Sequence, residues 1–172
     1  MAVLIQGVVE AEYSYVIHTV NPVTRDRGEI YAELVLGLGE TLVGSHPGRA
    51  LSFSARKPHL IPNLLGLPSK STALAGGGLI FRSDSSGEDL AGYAGAGLYD
   101  SIILPPPGSA VLDYTDEPLL RDATFRDGVL AAIARIGATV ESRLGSPQDI
   151  EGVYAGGRFT IVQSRPQVGI DR

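Results

Sequence analysis

The chain has 172 residues, 44% of them hydrophobic, and carries 14 basic against 19 acidic side chains for a formal net charge of −5. That length fits one domain or part of one, and the acidic balance argues against nucleic acid or an anionic membrane as the main partner, since both demand a basic face. There is no cysteine, which removes disulfides, thiolate metal sites and cysteine nucleophiles, and no apolar run reaches the ~18 residues of a membrane helix.

The N-terminal stretch MAVLIQGVVEAEYSYVIHT reads as β-strand and not as a signal or transit segment. Residues 2–10 and 13–20 are two β-rich runs separated by a short polar step, which predicts a hairpin. Asn21-Pro22 breaks the pattern, and Arg25-Asp26-Arg27-Gly28 makes a turn. Over residues 29–36, Ile30, Ala32, Leu34 and Leu36 alternate with Tyr31, Glu33 and Val35, the period of a third strand. A glycine-rich elbow, GLGETLVG, follows from Gly37 to Gly44, and residues 50–55 read as a fourth strand. Residues 58–78, with three prolines and three consecutive glycines, are expected to be mostly loop, and residues 79–84 a short strand. Residues 104–108 hold three more prolines and read as loop.

Helical periodicity is concentrated late. Phe125, Val129, Ile133, Ile136, Val140 and Leu144 recur at three- and four-residue spacing and mark one apolar face, with Gly145 placed to cap its end. Residues 149–155 and 158–165 then flank Gly156-Gly157 as a second hairpin. With no internal repeat and no long linker, the chain reads as one α/β (α+β) unit, mostly antiparallel sheet with few helices.

The register of that second hairpin decides what its polar residues can do. A two-residue loop, Gly156 and Gly157, sets Glu151 opposite Val162 and away from Gln163. A three-residue loop, Gly156 to Arg158, sets Glu151 opposite Gln163 and Asp149 opposite Arg165. Directly opposite residues share a face, so only the longer loop gathers these four polar groups on one surface. Carboxylate, amide oxygen and guanidinium together suit Mg²⁺ and phosphate, and the three-residue loop is the expected one.

Residues 82–101, RSDSSGEDLAGYAGAGLYDS, set arginine, hydroxyl and carboxylate side by side at Arg82, Ser83 and Asp84. Gly87, Gly92, Gly95 and Gly97 follow, with Glu88 and Asp89 between. Glycines let backbone N–H groups approach phosphate, and arginine meets phosphate oxygens in pairs. The plain alternative is a Gly/Ser loop with scattered charges. Other chemistries lack their patterns: there is no G-x-G-x-x-G, no G-x-x-x-x-G-K-[ST] and no G-x-S-x-G elbow. His18, His46 and His59 show no zinc spacing, and Glu33 and Glu40 taken alone read as surface carboxylates.

In order along the chain, MAVLIQ, VIHTVNP, EIYAELVLGLGETLVG, PGRALSF, IFRSDSSGEDLAGYAGAGLYDS, SPQDIEGV and VQSRPQ resemble the C-terminal nucleotide-binding region of the α-glucan water dikinases, which phosphorylate starch. The resemblance covers residues 1–168 and leaves 169–172 as a tail. Phosphoenolpyruvate synthase and pyruvate phosphate dikinase are wider relatives with the same ATP-grasp type of domain. In them the RSS…ED element precedes the strand pair that MAVLIQ resembles; here it follows.

The resemblance implies ATP as substrate and Mg²⁺ as cofactor. It implies that the β-phosphate passes through a histidine of a separate domain to a glucosyl unit and that the γ-phosphate goes to water. Gln6, Val8 and Val9 then match the strand beside the adenine, and Thr19 and Asn21 the step near the phosphates. Glu33 and Glu40 match carboxylates facing the nucleotide or its metal. Arg82, with Ser83 beside it, matches the arginine that holds the phosphates. Asp149, Glu151 and Gln163 match the acid, acid and amide that bind Mg²⁺ and ATP, and Arg165 the arginine just after. The phosphohistidine domain and an N-terminal ATP-grasp subdomain are expected elsewhere, with α-glucan reached through other domains and the protein soluble in the plastid. The alternatives are the ATP-grasp domain of a pyruvate-type dikinase and a non-catalytic nucleotide-binding module.

Overall fold

The computed structural model describes residues 2–43, 46–84, 89–90, 93–94 and 101–170. Most of the glycine-rich segment after Asp84, including Gly87, Glu88, Gly92, Gly95 and Gly97, therefore lies outside the described residues. In chain order the elements are β1 (Ala2–Val8), β2 (Tyr13–His18), β3 (Glu29–Leu36), α1 (Glu40–Val43), β4 (Leu51–Arg56), β5 (Pro62–Gly66), β6 (Thr72–Ala75), β7 (Gly78–Asp84), β8 (Asp89–Leu90) and β9 (Tyr93–Ala94). They continue with β10 (Ser101–Leu104), β11 (Gly108–Val111), α2 (Pro118–Arg121), α3 (Ala123–Leu144), β12 (Gln148–Ala155) and β13 (Arg158–Pro166). This is the expected α+β class, dominated by antiparallel sheet.

A six-stranded sheet runs in the order β13-β12-β2-β3-β4-β5, and a three-stranded sheet in the order β1-β7-β10. The first corrects the hairpin expected from residues 2–20. Both edges of β2 are taken, by β12 and β3, so β1 has none to join and pairs with β7 instead. The supposed loop 58–78 also contains two strands: β5 extends the large sheet beyond β4, and β6 pairs with β11. Pro62 is tolerated because β5 is an edge strand.

One face of the large sheet is the core. Tyr15 and Ile17 of β2, Ile30, Ala32 and Leu34 of β3, Leu51 and Phe53 of β4 and Ile150 of β12 are all buried against α3. Asp122 caps the start of that helix by accepting from Phe125 N at 3.0 Å, and Gly145 ends it in the left-handed conformation, as the sequence predicts. The buried stripe of α3 is Val129, Leu130, Ile133, Ala134 and Gly137. Phe125, Ile136 and Val140 pack at its flank, whereas Leu144, expected on the apolar face, is 58% exposed. Small residues set the contact line: a Cβ on Gly137 would stand 2.9 Å from Ile17 Cγ2. No helix among the described residues is long and apolar enough to cross a membrane.

A smaller core, Leu38 with Ile80 and Ile103, packs the three-stranded sheet against the turn that follows β3, with Val8 and Leu74 at its border.

The β12–β13 hairpin reaches the predicted pairing by an unpredicted route. Its loop has two residues, Gly156 and Gly157, with φ of 56° and 79°, the double left-handed geometry that suits strand twist. The three-residue loop does not form. Ala155 pairs with Arg158 and Gly152 with Ile161, but the register then shifts, so that Glu151 pairs with Gln163 and Asp149 with Arg165. Val162 is the extra residue of a β-bulge. Its carbonyl accepts a hydrogen bond from Gln6 Nε2 of β1 at 3.2 Å, tying the small sheet to the bulge.

Candidate functional site

The face of the large sheet opposite α3 is polar, and its strand pairing lines up two rungs. One runs Gln163, Glu151, Val16, Glu33 and Ser52; the next runs Arg165, Asp149, His18, Tyr31 and Ser54. Sheet register alone places these side chains together, because paired residues share a face.

At the β13–β12 end, Arg82 enters from β7. Its Nη1 donates to Glu151 Oε2 at 3.2 Å and also to Gln163 Oε1, and its Nη2 donates to Glu151 Oε2 at 3.2 Å. Arg82 Nε is buried without a hydrogen-bond partner. Beside this group, Arg165 Nε and Nη2 donate to Asp149 Oδ2 at 3.1 and 2.8 Å. Four residues from two sheets thus form two adjacent charge pairs, all half-buried.

The second rung continues through a residue the sequence left aside. His18 Nδ1 lies 3.6 Å from Asp149 Oδ1, and its ring stacks on Tyr31 with centroids 6.3 Å apart. The Tyr31 hydroxyl donates to Glu33 Oε1 at 2.7 Å. Burial first, and then this hydrogen bond, push the Tyr31 phenol up to about 12. Tyr31 shares the polar alternation of β3 with Glu33, which marked it in the sequence; His18 could be found only by knowing that β2 pairs with β12.

Other expected site residues lie elsewhere. Thr19 is fully buried, and its Oγ1 accepts from Gln148 N at 2.7 Å, linking β2 to β12 instead of facing the polar surface. Asn21 is buried and accepts from Val23 N and Thr24 N, a turn-forming role. Glu40 opens α1. Val8 borders the small core, and Val9 is 36% exposed just beyond β1. Ser83 follows Arg82 in β7, paired with Val3.

A divalent ion is tested by its donors. Glu151 Oε2 and Gln163 Oε1 already converge on one cationic nitrogen, and both are oxygen donors of the type Mg²⁺ takes. Asp149 directs one oxygen to Arg165. No group of three His, Asp or Glu among the described residues is placed to hold a metal. The donors fit an ion that keeps several water and phosphate oxygens, not one caged wholly by protein.

No family model matches the chain. It is 55% identical over 170 residues, 98% of its length, to the α-glucan water dikinase of Solanum tuberosum and to α-glucan water dikinase 1 of Arabidopsis thaliana, both described as chloroplastic. A probable phosphoenolpyruvate synthase of Methanocaldococcus jannaschii is 27% identical over 166 residues, 96% of this chain and 12% of that protein. Over nearly all of its length the chain is similar to one segment of the α-glucan water dikinases, which are phosphotransferases, and it spans 12% of the length of those two relatives.

Proposed function

We propose that the chain is the ATP-binding part of an α-glucan water dikinase. In this reading residues 1–168 are the C-terminal part of an ATP-grasp domain. The intact enzyme moves the β-phosphate of ATP through a phosphohistidine to glucosyl units of starch and the γ-phosphate to water, in the plastid. The observation that carries the reading is the meeting of Arg82 from one sheet with Glu151 and Gln163 from the other, beside Arg165 and Asp149. Identity of 55% to the glucan dikinases against 27% to a phosphoenolpyruvate synthase supports starch over pyruvate chemistry.

Phosphoryl transfer asks the protein mainly to position groups and neutralise charge. Arg82 and Arg165 supply guanidinium forks for phosphate oxygens. Glu151 and Gln163 supply oxygens for Mg²⁺, with Asp149 orienting Arg165 beside them. Bound there, Mg²⁺ draws charge from the phosphate oxygens. Glu33, with Tyr31 donating to it, extends the polar face along the sheet. Glu40 stands at the start of α1, Gln6 and Val8 lie on β1 with Val9 just beyond it, and Ser83 follows Arg82 in β7. Thr19 and Asn21 hold the backbone near the site instead of touching nucleotide.

The test is the intact dikinase carrying Glu151→Ala. Autophosphorylation from Mg·ATP should be lost while starch binding persists. Undiminished autophosphorylation overturns the assignment of Glu151.

A further inference from the structure

We propose that Arg82 is a placeholder cation: without nucleotide its guanidinium occupies the position between Glu151 and Gln163 that a divalent ion takes once a polyphosphate draws Arg82 away. This rests on the nucleotide-binding reading and adds an order to it.

The geometry sets up a competition. Both Nη atoms of Arg82 are committed to Glu151 Oε2 and Gln163 Oε1. A guanidinium so engaged cannot present its fork to phosphate. The same two oxygens are the ones offered to the metal, so metal and guanidinium exclude each other. The contact is also incompletely satisfied, since Nε is buried with no partner. A buried donor without an acceptor carries a penalty that an incoming anion can relieve.

The exchange keeps the carboxylate compensated. Glu151 has 29% of its side chain exposed, and Arg82 is the cation paired with it. Taking Arg82 away and putting nothing in its place would leave a half-buried charge alone, which is unfavourable. Departure of Arg82 and arrival of the metal are therefore linked. The fold allows the movement. Among Arg82, Asp149, Glu151, Gln163 and Arg165, only Arg82 comes from the small sheet, and the hydrogen bond from Gln6 to Val162 O holds the two sheets together independently of it. The consequence is positive coupling: metal alone binds weakly, polyphosphate alone binds weakly, and each strengthens the other.

The test uses Mn²⁺ alone on the 172-residue chain, read by loss of the paramagnetic resonance signal of the free aquo ion. R82M keeps the apolar stem but removes the guanidinium, and it should bind Mn²⁺ about tenfold more tightly than the unaltered chain, within the usual range of coupling. Adding E151Q to R82M should abolish the gain. If R82M does not fold, R82K serves, because a single ammonium loses the second guanidinium contact to Glu151, and it should show a smaller gain. No gain in a folded variant, judged by circular dichroism, overturns the proposal. Titration with ATP on the intact dikinase separates the two readings: tighter Mn²⁺ binding in R82M without ATP binding by the unaltered enzyme keeps the competition between Arg82 and metal and sinks the nucleotide assignment, and the converse sinks the exchange alone.

Discussion

Arg82 and Glu151 lie 69 residues apart in the chain and on different sheets, yet two hydrogen bonds of 3.2 Å join the guanidinium to a single carboxylate oxygen. The aim of the arginine is fixed by backbone pairing. β7 is the middle strand of its sheet, with Arg82 opposite Leu4 on one side and Ser101 on the other. Glu151 is fixed in the same way, between Gln163 and Val16. The contact is therefore a meeting of two sheets and not of two loops, which gives it a defined geometry.

The two helical glycines of α3 should respond to alanine with opposite signs. Gly128 is exposed and has nothing within 4 Å of an added Cβ, so Gly128→Ala should raise stability by about 0.5–1 kcal/mol through helix propensity. At Gly137 the new Cβ meets Ile17 Cγ2 at 2.9 Å and Ile30 Cδ1 at 3.4 Å. Overpacking of about 1–3 kcal/mol outweighs the same propensity gain, for a net loss of about 1 kcal/mol. Urea denaturation of both variants checks this, and a gain at both positions would refute the close seating of α3.

Replacing Gly157 with alanine should cost about 1 kcal/mol, because its φ of 79° forces an L side chain into the left-handed region. Asparagine at Gly156 should cost less, since it tolerates that region. Chemical denaturation curves rank the two, and equal losses would argue against the two-residue turn.

Tyr13 donates to Glu117 Oε1 at 2.6 Å, and the same oxygen accepts from Leu119 N at 3.1 Å to cap α2. Burial and the adjacent carboxylate hold the Tyr13 phenol well above its usual range. Tyr13→Phe removes a donor from a carboxylate that is 9% exposed and should cost about 1–3 kcal/mol. An unchanged thermal midpoint would mean that water replaces the hydroxyl.

Alkaline stability should report Tyr31. Its folded value of about 12 exceeds the ordinary 10, so the folded chain retains a proton that the unfolded chain releases. The contribution is intact below pH 10 and is lost as pH rises through 12. Tyr15, raised to about 12 by burial alone, adds a second such contribution. Tyr31→Phe should flatten, without abolishing, the fall in denaturation free energy between pH 10 and 12. An identical slope in the variant would show that Tyr31 ionises over the same pH range in the folded and unfolded chains.

What could be read from sequence follows the range of the forces involved. β3 and α3 were legible because their apolar periods are local, and the C-terminal end of α3 because Gly145 caps it locally. The partner of β1 was not, because it depends on which edges remain once β2 is enclosed. The β12–β13 hairpin shows both outcomes. Opposition of Glu151 and Gln163 was anticipated, but the bulge at Val162 that produces it leaves no mark in a run of strand-forming residues. The place of His18 needed the same long-range pairing, since only the β2–β12 register puts it against Asp149.

The hydrogen bond from Gln148 N to Thr19 Oγ1 spans 129 residues. At a ribosomal pace of roughly 5–20 residues per second, β2 emerges about 6–26 s before the strand that covers its second edge. Through that interval an apolar strand with Tyr15 and Ile17 waits with one edge unpaired, a state prone to wrong pairing. Nascent chains stalled before Gln148 should therefore be the ones that chaperones retain, and release should coincide with the appearance of the β12–β13 hairpin.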